Sequence, residues 1–302
     1  MGLISRPKNR RMVAKHNRMI VVLVSDTHAG HKLGLLHEES PLIDEHGDEW
    51  HPQLTTVTQR FIHKLYHEYI EQVAALADGC PVILIHNGDI THGVRYAEHL
   101  ALVGISDQVL AAAWNLRPWF VHERINLSYC RITTGTAVHS IDSATEILVG
   151  HKLSDMFPKV ETKVVHHSQI ELVDQQGEII DSAHHGPYPG SRAWLKGNSV
   201  RRYLQSAMID EMINLQQVPR VYVRSHYHEW LRETARIRQN GHDVESDLVV
   251  LPSFCGIDDY VRRATRSKVR IDLGLVALEF ENGLQRIHPL YQELNMRTRE
   301  AL

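Results

Sequence analysis

Five short stretches of the chain set carboxylates and imidazoles at spacings that can hold a cation. They are Asp26-Thr27-His28, Gly88-Asp89, Gly135-Thr136-Ala137-Val138-His139, His184-His185-Gly186 and Ser225-His226-Tyr227-His228. A carboxylate can share its two oxygens between two cations, while neutral imidazoles fix geometry without cancelling all of the charge. Mixed His/Asp sets suit Mn, Fe or Zn rather than Ca. Abundance proves none of this, because 22 histidines in 302 residues give roughly one Asp-x-His by chance. Position on the secondary structure has to decide.

The elements around these residues are legible from periodicity. Short, continuous β-branched runs predict buried strands at 19–24, 81–86 and 127–133, and a further strand at 220–224. Helical spacing predicts helices at 55–78, 94–114, 143–156 and 201–215. A hairpin spans 170–180, and strand-and-turn segments follow at 234–238, 247–251, 269–280 and 284–291. Strands alternating with helices and then running into hairpins give an α/β fold with an antiparallel C-terminal part. Each candidate then falls in a loop at the carboxyl end of a strand, where open α/β sheets place ligands. Asp44-Glu45-His46 lies in a strandless polar stretch and is the chance match.

Composition excludes several classes. The formal charge of -3, with 43% hydrophobic and 23% charged residues, describes an ordinary globular chain without a global basic field. Cys80, Cys130 and Cys255 are widely spaced and form no Cys-x-x-Cys, which suits a reducing cytosol and predicts a cytoplasmic protein. No run is long enough to span a membrane. Residues 1–18 form a basic leader, and 19–302 read as a single domain.

The ordered series Asp-x-His, Gly-Asp, Gly-Thr-x-x-His, His-His and His-x-His resembles the calcineurin-like metallophosphoesterase superfamily, and most nearly its phage- or prophage-type subgroup. The resemblance spans roughly residues 20–230. It implies a two-sheet metallophosphoesterase sandwich flanked by helices. It also implies two divalent metal ions, Mn first, with Fe or Zn as alternatives. Carried over by position, Asp26, His28 and His228 would hold the first ion and Asp89 would bridge. His226 would hold the second with His184 or His185, of which His184 is favoured because adjacent strand residues face opposite ways. His139 would be the general acid or a phosphate contact, or else a ligand. The third motif departs from the family, with Thr136 standing where an Asn usually ligates and two residues separating it from His139. Ser225 replaces the usual Gly.

The resemblance implies a phosphoesterase acting through a metal-bridging hydroxide. The loop 186–202 adds Arg192, Lys196, Tyr188 and Trp194, types that grip phosphate and stack on bases. It points to a phosphodiesterase or nuclease on nucleotides, DNA or RNA. The alternatives are a phosphomonoesterase and a catalytically weak metal-holding binding protein. Arg262, Arg263, Arg266, Lys268 and Arg270 form a second basic cluster. His31 and His92 match no family position and are expected to lie behind the ligands or at the surface. Asn87 and His86 are candidates for orienting ligands from behind.

Overall fold

The computed structural model describes residues 17–141, 143–190, 195–239, 241–256 and 270–295. Its elements run β1 (Arg18–Val24), β2 (Leu42–Ile43), β3 (Glu49–Trp50), α1 (Val57–Ala77), β4 (Pro81–Asn87), α2 (Ile105–Val121) and β5 (Asn126–Thr133). They continue with α3 (Ala137–Ser140), α4 (Ala144–Met156), β6 (Glu161–Val165), β7 (His167–Leu172), β8 (Glu178–Ala183) and α5 (Asn198–Ile213). The C-terminal part holds β9 (Val221–Arg224), β10 (Leu231–Gln239), β11 (His242–Val250), β12 (Arg270–Glu281) and β13 (Leu284–Asn295).

One sheet has the order β13-β12-β1-β4-β5-β6, with β1, β4, β5 and β6 parallel and β12 and β13 antiparallel. The other is β10-β11-β9-β8-β7, with β8, β9 and β11 parallel. Strand alternation explains how they stack. Val21, Leu23, Ile83 and Ile85 from the first sheet share a buried cluster with Ile180, Val221, Val223 and Val249 from the second. The intervening residues Ile20, Val22, Val24, Val82 and Leu84 face the opposite way, into a core with α1, α2 and α4. Val200, Leu204 and Met208, one turn apart on α5, cover Tyr222, Leu248 and Val250 on the outer face of the second sheet. The result is the expected two-sheet α/β sandwich flanked by helices.

Helix α1 starts in a capping box, where Thr56 accepts from the Gln59 N–H and Gln59 reaches back to the Thr56 N–H. The expected helix at 94–114 is corrected to Ile105–Val121. Gly104 is its N-cap, and the stretch before it forms a short 3₁₀ turn at Ala97–His99 that supplies Leu100 for a bridge to His31. The leader's last residue, Arg18, opens β1 and pairs with Glu279 at 2.7 Å, and residues 1–16 lie outside the described residues. All three cysteines are buried. Among the described residues, no helix is long and apolar enough to cross a membrane.

Candidate metal centre

Parallel pairing of β1 with β4 carries their ends out side by side, with Val24 opposite His86. Beyond the strands the two loops stay bonded: Asp26 N–H donates to Gly88 O at 3.1 Å and His28 N–H to Asp89 O at 3.0 Å. The ends of β8 and β9 join in the same way, with Ser225 N–H donating to His184 O at 3.0 Å. Asn87 couples the two sheets. Its amide donates to Ala183 O and Ser225 Oγ, each at 3.0 Å, and its side-chain oxygen accepts from Ser182 Oγ at 2.9 Å. Its carbonyl lies 2.7 Å from His184 Nδ1. That contact makes Nδ1 the protonated nitrogen and leaves Nε2 for a cation, the usual arrangement behind a ligating histidine.

The structure brings the candidates into two overlapping groups. Asp26, His28 and His228 each offer a ligand atom within 4.8 Å of the others, and so do Asp26, Asp89, His184 and His226. The residue common to both groups is Asp26. His228 Nε2 is 3.4 Å from Asp26 Oδ1, and His184 Nε2 is 3.1 Å from Asp89 Oδ2. Asp26, His28, Asp89, His226 and His228 all have positive φ, between 45° and 77°. Left-handed backbone costs non-glycine residues about 1 kcal/mol or more, and such strain gathers at functional sites.

Thr136 lies at the heart of the second group. Its N–H donates to Asp89 Oδ1 at 2.6 Å and its hydroxyl to Oδ2 at 3.1 Å. The same hydroxyl is 3.4 Å from both His184 Nε2 and His226 Nδ1. A neutral oxygen thus sits among these groups at the position where the family pattern has Asn. Gly135 permits the approach, because a Cβ there would collide with the Asp89 N–H and carboxylate. Gly88 does the same for the ring of His184. The buried Glu146, which belongs to no recognised motif, accepts from Gly135 N–H at 3.1 Å and steadies this loop. Its only sequence signal is an acid in the first turn of α4.

His139 lies in the short helix α3 rather than in an open loop. Its Nδ1 is 2.7 Å from His92 O, and its ring is 4.7 Å from that of His28. His92 is buried, and His28, His92 and His139 form another group with ligand atoms within 4.8 Å. The surface reading of His92 is therefore replaced by a place against the site. His31 is buried as well, its ring 4.4 Å from that of His92. Of the two places expected for them, behind the ligands or at the surface, burial selects the first, which no motif spacing could do. His185 is exposed, its ring 4.9 Å from that of His184 and 5.0 Å from that of His226, and it offers a ligand atom within 4.8 Å of theirs. Lys196 is ion-paired with Glu229, while Arg192 and Trp194 lie outside the described residues, as do Arg262, Arg263, Arg266 and Lys268. His86 donates or accepts with Thr27 Oγ1 at 3.0 Å behind the site. Asp44 and His46 are exposed, in the turn between β2 and β3.

Burial opposes charge on Asp26, His28, Asp89 and His184, yet neighbouring imidazoles hold both carboxylates below their ordinary values. Burial alone would raise Asp89, but His184 and His226 hold it well below the usual carboxylate range. The balance for His184 is reversed. Burial alone would lower it, and the Asp89 carboxylate outweighs burial and pushes it to about 9. Burial and the neighbouring His139 and His228 drive His28 well below its ordinary value. Asp26 Oδ1 is buried with only the 3.4 Å ion-pair contact from His228 Nε2, and His228 Nδ1 is buried and, among the described residues, has no hydrogen-bond partner. Two carboxylates, the neutral ring of His28, the His184 Nε2 from which a cation would displace the proton and the unpartnered His228 Nδ1 fit divalent cations.

No protein-family model matches the chain, and no curated protein matches its sequence. Among solved structures, it is similar to a conserved uncharacterized protein, a predicted phosphoesterase, from Streptococcus pneumoniae TIGR4. The identity is 8%, the match covers 92% of this chain and 98% of that chain, and the TM-score is 0.31.

Proposed function

We propose that this chain is a metal-dependent phosphoesterase whose substrates are phosphodiesters of nucleotides or nucleic acid. The observation that carries the reading is the pair of ligand groups sharing Asp26 where strand ends of both sheets converge. Divalent cations held there, Mn first, would supply Lewis acidity and lower the pKa of water. Asp26, His28 and His228 would hold one ion and Asp89, His184 and His226 the other, with Asp26 within reach of both sets. Asn87 O sets the His184 tautomer, and Thr136 fixes the Asp89 carboxylate with two hydrogen bonds. His139, anchored through Nδ1 to His92 O, keeps Nε2 for proton transfer to a leaving oxygen or for contact with phosphate.

The diester preference is supported by an aromatic surface beside His226. Tyr227 lies 5.3 Å from that ring, and Tyr188, 47% exposed, lies 5.3 Å from Tyr227. Such faces stack on bases without regard to sequence. The test is turnover of bis-p-nitrophenyl phosphate with Mn²⁺, measured beside p-nitrophenyl phosphate. Faster hydrolysis of the diester is expected. Preference for the monoester overturns the diester reading, and inertness toward both despite bound metal overturns the esterase reading.

A further inference from the structure

A second histidine cluster stands apart from the centre just described. His63 and His67 lie four residues apart on α1, on one face of the helix. His37 approaches them from the long connection between β1 and β2. The ring centroids are 4.5 Å apart for His63 and His67, 5.7 Å for His37 and His63, and 5.8 Å for His37 and His67. One nitrogen from each lies within 4.8 Å of the other two. His63 Nε2 and His67 Nε2 are buried and, among the described residues, have no hydrogen-bond partner. A buried ring nitrogen left unsatisfied is costly unless something occupies it. An open cavity of about 470 Å³ borders the cluster, lined in part by His63, His67, Glu71 and His122, and gives access from solvent.

We propose that His37, His63 and His67 form a separate site for one first-row transition cation of the Zn²⁺ class. Three imidazoles with a fourth position open to solvent match the tetrahedral preference of Zn²⁺. The set contains no carboxylate, which separates it from the Asp26/Asp89 centre and disfavours Mg²⁺ and Mn²⁺. Burial lowers all three histidines, His67 to about 4, and repulsion from neighbouring rings adds to it at His37 and His67, which favours the neutral, ligating form. His37 Nδ1 accepts from Glu39 N–H at 3.2 Å. Ligation through His37 exchanges that bond for the ion, either directly at Nδ1 or by moving the ring proton from Nε2 to Nδ1. Both acids lining the cavity are already engaged, Glu71 by His122 and Arg124 and Glu68 by Lys64, while Glu38 and Glu39 add a favourable negative field at His37. A cation here would tie the middle of α1 to the segment that follows Asp26 and His28. That segment is already fastened at Leu35, whose N–H donates to Thr27 O and whose carbonyl accepts from Asn115.

The experiment is equilibrium dialysis of the chelator-stripped full chain against Zn²⁺, and separately against Mn²⁺, with metal analysis. Wild type is compared with His37→Gln, His63→Gln and His67→Gln, their folding checked by circular dichroism. Each variant is expected to bind one Zn²⁺ fewer, with affinity at the site reduced at least about 10-fold, and to keep its Mn²⁺ count. The Zn²⁺-induced rise in melting temperature should shrink in parallel. His37→Gln alters a loop residue and decides the matter if a helix variant does not fold. Equal Zn²⁺ counts in wild type and folded variants overturn the proposal.

Discussion

Thr136 grips both oxygens of Asp89, through its N–H at 2.6 Å and its hydroxyl at 3.1 Å. The hydroxyl also faces His184 and His226, so one side chain orients a carboxylate and presents a neutral oxygen to the same two imidazoles. Thr136→Val keeps the shape and the N–H bond but removes that oxygen. It is expected to lower second-ion affinity or turnover by about 10–100-fold, while Thr136→Ser stays near wild type. Metal titration together with steady-state kinetics checks both, and a fully active Thr136→Val would refute the role.

Asn87 ties the carboxyl ends of the two sheets together through Ala183, Ser182 and Ser225. Asn87→Ala strands buried partners on both strands and should destabilise the fold by about 1–3 kcal/mol. Urea denaturation reads that loss. His184 should also lose orientation, so weakened metal binding is expected with the lower midpoint.

Replacing His139 tests its place beside His28. If its task is proton transfer, His139→Ala lowers turnover by about 10²–10⁴-fold and leaves the metal content of the purified protein unchanged. Loss of one metal equivalent would instead mark His139 as a ligand.

Asp247 supplies a pH signature away from the metal centre. Burial alone would raise its carboxyl, but bonds from Arg232 and Thr234 and the nearby Arg220 outweigh burial and hold it below 3.8. A depressed carboxyl pKa contributes stability that is present above the ordinary value and lost as pH falls through the folded value. Thermal melting followed down from about pH 5 should show that loss. Asp247→Asn should be less stable near neutrality, with a flatter acid limb. An unchanged acid limb in Asp247→Asn would remove Asp247 as its source.

The sequence by itself determined the strand and helix order and the placing of Asp26, His28, Asp89, His184, His226 and His228 at strand ends. Those signals are local: β-branched runs, period-3.6 stripes and glycines at tight turns all act within a few residues. The pattern before Gly104 is compatible with a helix, yet α2 starts at Ile105, because residues 99–102 bond to the segment around His31 instead: His99 O accepts from Lys32 N–H, and Ala101 and Leu102 N–H donate to Gly30 O. Which residues touch was a tertiary matter. Asp26 and His226 are 200 positions apart, yet His226 N–H donates to Asp26 Oδ2 at 3.3 Å because two separately paired sheets stack face to face. The burial of His92 and Glu146, the choice of His184 over His185 as the ring beside Asp89, and the meeting of His37 with His63 and His67 follow from the same packing. No spacing within one segment encodes a contact made by the stacking of another.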